Sequence, residues 1–267
     1  MTASTSFDAI LTDERRSAMR GARLVGAIVC VCLISLWLTG FFDAKRFVES
    51  GPAIQQLAAE MVPPDFSRWR SWLKPLLDTL AMSIAGTALA VIFSLPLALL
   101  AAPNTSPHRL VYFTVRTLLA FLRSVPEIIL GVLFVAAVGF GALPGVLALA
   151  LHSVGMVGKF YAEAIEHVDP KPLEAARAAG ATQAQVILHA VLPQVLPQLT
   201  DVTIYRWEYH FRASAVLGIV GAGGIGFELI AALRLLNYDQ VSAILLAILA
   251  CVIAVDSIGA FLRRKLK

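Results

Sequence analysis

Charge is scarce in this sequence. Of 267 residues, 15% are Asp, Glu, Lys or Arg and 58% are hydrophobic, with a mean hydropathy of +0.76. Average soluble domains carry about 25% charged residues, so the composition points away from a soluble enzyme and toward a membrane protein. Cysteine is nearly absent: Cys30, Cys32 and Cys251 lie in apolar runs, where a thiol acts as a small hydrophobe, and neither a disulfide framework nor a metal site is expected. Also missing are a Ser/His/Asp arrangement, a metal-ligand cluster and a G-x-x-x-x-G-K-[ST] loop, so the chain is not expected to hydrolyse ATP itself. Alternating strands and amphipathic helices are lacking too. That bears on Gly221-Ala-Gly223-Gly224-Ile-Gly226, which has the G-x-G-x-x-G spacing and follows a β-like apolar run, Ala215 to Val220. Taken alone, this motif supports a membrane-anchored NAD-dependent oxidoreductase.

What is abundant is long apolar sequence. A membrane-crossing helix needs roughly 20 mainly apolar residues, and 24–42, 76–102, 121–140, 143–164 and 238–262 qualify. The first is too long for a signal-peptide core and reads as a retained anchor. Basic residues cluster at both ends, Arg15, Arg16, Arg20 and Arg23 before the first run and Arg263, Arg264, Lys265 and Lys267 after the last. Both termini are therefore expected in the cytoplasm, which requires an even number of spans. These clusters flank apolar spans without interleaved aromatics, so no nucleic-acid partner is expected. The loop 43–75, placed outside, carries Lys45, Arg46, Arg68, Arg70 and Lys74 against the positive-inside tendency, and its 53–61 piece reads as a short interfacial helix.

The missing span lies between Val195 and Val220, a stretch hydropathy alone would reject because it holds Asp201, Arg206, Glu208 and Arg212. Spacing i, i+4, i+7, i+11 puts Asp201, Tyr205, Glu208 and Arg212 on one helical face, with Ile204, Trp207 and Phe211 as an adjacent apolar stripe. An ionised group at the bilayer centre costs about 2.5–3.5 kcal/mol on insertion scales, so such a helix requires mutual pairing or a wet path. The expected fold is all-α and polytopic, with six transmembrane helices. Segments 103–109 and 166–194 lie inside; 43–75, 141–144 and 221–237 lie outside. Residues 1–75 form an N-terminal tail, first helix and loop, and 76–267 the core.

The internal stretch 169–198 reads as two short helices: Pro172 suits the first turn of one, Gly180 ends or bends the chain, and Thr182 caps the second. Here the sequence resembles the membrane-spanning subunits of ATP-binding cassette importers, whose cytoplasmic signature is E-A-A, three residues, G, nine residues, then I-x-L-P. Glu174, Ala175, Ala176, Gly180, Leu192 and Pro193 stand at those spacings, and Ala190 replaces the usual Ile. The resemblance implies a type I importer permease fold in which this segment couples to an ATPase.

R-S-V-P from Arg123, the stretches from Lys159 and Arg206, and V-D-S-I-G-A-F-L-R-R from Val255 look like the phosphonate-permease branch, over roughly Leu76 to the C-terminus. Methionine permeases share R-S-V-P and the Gly-rich element, which keeps a methionine substrate as an alternative. The resemblance implies a bacterial inner-membrane protein with a second permease chain, identical or similar, two ATPase subunits that hold ATP and Mg, and an extracytoplasmic binding protein. The chain itself is expected to bind lipid and no cofactor. A channel or secondary transporter independent of ATP is a further alternative. Guanidinium forks suit oxyanions, which makes Arg123, Ser124, Glu127, Tyr205, Arg206, Glu208 and Arg212 candidates for the substrate pathway. Glu127 stands four residues from Arg123 and Glu208 four from Arg212, spacings at which each acid can occupy a guanidinium, although Pro126 interrupts the first pair. His152, Lys159, Tyr161 and His189 have no partner set by spacing and are expected to serve packing. On the topology above, Gly221, Gly223, Gly224 and Gly226 fall at an outer gate.

Overall fold

The computed structural model describes residues 4–266, and every regular element among them is helical. The described residues divide into two compact units, one up to Ala59 and one from Glu60 onward. In the first, α1 (Ser4–Leu38) contains a stretch, Glu14–Leu38, long and apolar enough to cross a membrane. A turn containing Gly40 leads into α2 (Ala44–Glu60), which starts well before the short helix expected at 53–61.

The second unit is built around α3 (Trp69–Ala101) and α6 (Ala142–Glu166). Lipid offers little hydrophobic drive for one apolar helix to join another, so close approach depends on small residues. The buried positions follow that rule: Gly86, Ala90, Ala98 and Ala101 on α3, with Ala148, Gly155, Gly158 and Ala162 on α6. Larger side chains, Leu119, Val157, Tyr161 and Ile165, fill the core toward the 166–194 end.

Between these two helices the chain forms α4 (Arg109–Ser124) and α5 (Glu127–Val138), bent by 83°. The single straight span expected over 121–140 is therefore corrected to two segments. Pro126 has no N–H to donate and disfavours helical geometry in the residue before it, and Val125 is accordingly extended at φ −84°, ψ 120°.

Next come α7 (Pro170–Ala178), α8 (Gln183–Val186), a π-helical turn over Ile187–Val191, and α9 (Leu192–Ile219). The last two helices are α10 (Ile225–Arg234) and α11 (Tyr238–Leu266), both packed on α9. Four described helices satisfy length and apolarity for crossing a membrane, namely α1, α3, α6 and α11, and α4 with α5 do so only as a bent pair. The stretch expected as a charged span forms one uninterrupted 28-residue helix, α9, about 42 Å long at 1.5 Å per residue; it does not meet the apolarity test that those four helices pass. The β-like run 215–220 is corrected as well: it forms the last turns of α9, so no strand precedes the Gly-rich turn.

Candidate functional site

Helical spacing puts polar residues on two opposite faces of α9. At 100° per residue, Asp201, Tyr205, Glu208 and Arg212 lie along one line and Thr203, Arg206, His210 and Ser214 along the other. The first face meets α11. There Arg263 Nη2 lies 2.8 Å from Glu208 Oε1, and Arg212 Nη1 donates to Asp256 Oδ1 at 3.0 Å. The expected i, i+4 pairing of Glu208 with Arg212 is therefore replaced by two ion pairs across to α11. Tyr205 is 56% exposed on the same side.

The second face is buried and more completely networked. Arg206 is 5% exposed and His210 fully buried. Thr87 of α3 donates its hydroxyl hydrogen to Ser83 O at 2.7 Å, so its oxygen accepts from His210 Nδ1 at 2.7 Å. Ser153 of α6 accepts from Arg206 Nε at 2.7 Å and donates to His210 Nε2 at 2.5 Å. The Thr87 and Ser153 hydroxyls and the His210 N–H each have an acceptor when His210 is the neutral Nδ1–H tautomer. A separate pair lies on the same face: Thr203 donates to Leu199 O, and the hydroxyl of Tyr161 of α6 donates to Thr203 Oγ1 at 2.5 Å.

Tyr209 links this face to the helix break. Its ring centroid lies 4.2 Å from the Arg206 guanidinium carbon, and its hydroxyl donates to Glu127 Oε1 at 2.7 Å. Among the described residues no carboxylate forms an ion pair with Arg206. Both residues that touch Tyr209 keep an unmet atom: Arg206 Nη2 and Glu127 Oε2 are buried without a hydrogen-bond partner. A buried guanidinium without a counter-ion is costly in a low-dielectric surrounding and is a strong attractor for an anion.

The structure thus separates the sequence candidates. Glu127 and Arg206 come together through Tyr209. Arg123, on the far side of the Pro126 break, forms no ion pair with Glu127; with Arg116 and Lys159 it lines a small pocket of about 50 Å³. Those two cations are already engaged, Arg116 with Glu166 at 2.6 Å and Lys159 with Glu163 at 3.3 Å. Ser124 donates to Phe121 O. His152 Nδ1 donates to Val125 O at 3.0 Å, fastening the break to α6. Thr87, Ser153, Tyr209 and His210 were not singled out by sequence. The available signal was the spacing of Thr203, Arg206, His210 and Ser214, at i, i+3, i+7 and i+11.

The hairpin formed by α7 and α8 presents small and polar side chains. Leu173 and Val186 anchor it in the core, while Glu174, Ala175 and Gly180 are exposed and Ala176 is half-buried. Gly180 has φ +83°, where a Cβ is strained, and Thr182 with Gln185 forms a capping box on α8. Asp169 caps α7, and its N–H donates to Gln194 Oε1 at 3.0 Å, joining the start of α7 to that of α9. Ala190, in place of Ile, is buried in the π turn; Leu192 is half-buried and Pro193 exposed in the first turn of α9.

The Gly-rich turn has a packing role within the chain. Gly221, Gly223 and Gly224 have φ of +98°, +74° and +70°. Ile225 N–H donates to Thr79 Oγ1 at 2.9 Å, and Gly141 N–H to Gly221 O at 3.2 Å. A Cβ on Gly224 would run into Thr79 and Met82, and one on Gly226 into the Ala215 carbonyl.

A bundle with short, small-residue helix contacts, a buried charged helix and an exposed helical hairpin is that of a membrane transport subunit. The chain belongs to the family of binding-protein-dependent transport system inner membrane components, whose pattern matches residues 94–267. It is 58% identical to the phosphite transport system permease protein PtxC of Stutzerimonas stutzeri over the whole of both chains. It is 42% identical to the phosphate-import permease protein PhnE of Mycolicibacterium smegmatis, over 87% of this chain and 43% of that one. The fold is similar to a solved structure of the MetNI methionine ABC transporter, with a TM-score of 0.67, 23% identity and coverage of 76% of this chain and all of that one. The protein is thus a multi-pass inner-membrane transport component, not itself a catalyst.

Proposed function

We propose that this chain is the permease subunit of an ATP-driven importer for phosphorus oxyanions of the phosphite and phosphonate class. The carrying observation is the 58% identity to a phosphite permease across both full chains; the likeness to the methionine transporter lies at 23% and concerns the fold. A buried guanidinium free of any carboxylate ion pair suits an anionic substrate better than a zwitterionic one.

On this reading Glu174, Ala175, Ala176 and Gly180 dock the hairpin into an ATPase subunit that binds ATP and Mg, and both termini face the cytoplasm. Two permease chains, identical or similar, surround one pathway, with two ATPase subunits below and a binding protein delivering substrate outside. An apolar groove of about 500 Å³ between α3 and α9, lined by Ile84, Val91, Ile92, Ile204 and Trp207, supports a second chain covering that face. ATP-driven closure shifts the population between inward-open and outward-open states.

The test is reconstitution in proteoliposomes with the ATPase and binding-protein partners. Phosphite or a phosphonate is expected to stimulate ATP hydrolysis and accumulate inside, whereas stimulation by methionine alone overturns the substrate. Undiminished uptake by Gly180→Trp would remove the hairpin from the coupling mechanism.

A further inference from the structure

The proposed substrate leaves open which chemical form crosses. We infer that Arg206 and Glu127 form a paired donor and acceptor that recognises an oxyanion still carrying one proton, P–O⁻ on one side and P–O–H on the other. The inference rests on the reading of the chain as a phosphorus-oxyanion permease and concerns the site within it.

Three observations carry it. Arg206 is 5% exposed, with Nε committed to Ser153 at 2.7 Å and Nη2 buried without a partner. Glu127 has one oxygen committed to the Tyr209 hydroxyl at 2.7 Å and the other, Oε2, buried without a partner. Arg206 and Glu127 contact the same tyrosine, one over its ring and the other at its hydroxyl, yet no ion pair joins them among the described residues. A plain structural bridge would have satisfied both atoms with each other. Left as they are, one unmet group only donates and the other only accepts.

A fully deprotonated anion can fill the first and not the second: its oxygens repel a carboxylate. A singly protonated phosphite, phosphonate or phosphate fills both, because its P–O⁻ accepts from Nη2 while its P–O–H donates to Oε2. Sulfate has the same shape and the wrong hydrogen count, and meets Glu127 with a lone pair. Glu127 thereby acts as a filter on protonation state, with Tyr209 holding its carboxylate in place and Ser153 holding the guanidinium.

The experiment measures equilibrium binding to the purified permease–ATPase complex without binding protein. The probes are radiolabelled phosphite, at mildly acidic pH where it keeps one proton, and radiolabelled sulfate. A charge-assisted hydrogen bond to a buried group supports about a tenfold preference, so the wild-type complex is expected to favour phosphite over sulfate by at least that factor. Glu127→Gln keeps an acceptor for Tyr209 and turns the other arm into a donor; phosphite and sulfate should then bind within about twofold of each other. Arg206→Gln should weaken both alike. Equal affinity for the two anions in the wild type, no saturable binding of either, or a uniform loss in Glu127→Gln with the preference intact overturns the inference. If wild-type uptake of phosphite holds while the preference is absent, the filter alone fails; if uptake fails, the substrate reading fails with it.

Discussion

The two polar faces of α9 differ in how their charges are met. Facing α11, Glu208 and Arg212 each have an oppositely charged partner, Arg263 and Asp256. Facing α3, α5 and α6, Arg206 is surrounded by hydroxyls, an imidazole and an aromatic ring, with one nitrogen unmet. The first arrangement is paired: Glu208 and Arg212 each lie against an opposite charge, as charged groups within a membrane bundle usually must. The second is poised, since neutral groups fix the guanidinium's position without cancelling its charge. One helix therefore combines a face suited to fastening with a face suited to attracting an anion.

Substitutions that remove one side at a time sharpen this contrast, with thermal unfolding of the purified complex as the measure. Ser153→Ala should cost most, about 2 kcal/mol, because Arg206 Nε and His210 Nε2 lose a shared partner at once. Glu208→Ala should cost about 1–2 kcal/mol, since Glu208 is only 6% exposed and its loss leaves Arg263 without its nearest acid. Tyr209→Phe keeps the ring under Arg206 and deletes only the bond to Glu127, for about 0.6 kcal/mol. Arg212→Ala should cost least, about 0.5 kcal/mol, because the side chain of the acid it leaves, Asp256, is 47% exposed, whereas that of Glu208 in the neighbouring pair is 8% exposed. Uptake should follow a different order: Tyr209→Phe should impair transport more than Glu208→Ala does, although it costs less stability. Stability and uptake losses that run in parallel across the four variants would remove the distinction between the faces.

The local features were legible in the sequence because their causes are local. Pro172, Gly180 and Thr182 fix a turn between two short helices by φ restriction and capping, and the structure forms that hairpin. The even number of spans and helical spacing together revealed α9 despite its charges. Partner choice was not legible, because it depends on which helices become neighbours. Glu208 reaches Arg263, 55 positions away in sequence, instead of Arg212, four positions away. His210 escaped notice for the same reason: its two partners, Thr87 and Ser153, lie on α3 and α6. The Pro126 break was visible as a breaker but not as an 83° turn, whose size depends on how α4 and α5 pack along α6. The Gly-rich turn misled because its spacing coincides with a cofactor fingerprint; what demands glycine there is positive φ and contact with Thr79 and Ala215.

The π turn at Ile187–Val191 joins α8 to α9 without interrupting the helical run from Gln183 to Ile219. From Gln183 to Arg206 this rod spans about 35 Å at 1.5 Å per residue. On the proposed coupling role, displacement imposed on the exposed hairpin would travel along this helical run toward the buried guanidinium. The wide turn near its base carries an extra residue per hydrogen-bonded loop, giving the rod a point of adjustable winding. Tighter winding at that point would turn everything beyond it around the helix axis, and the two charged faces of α9 with it.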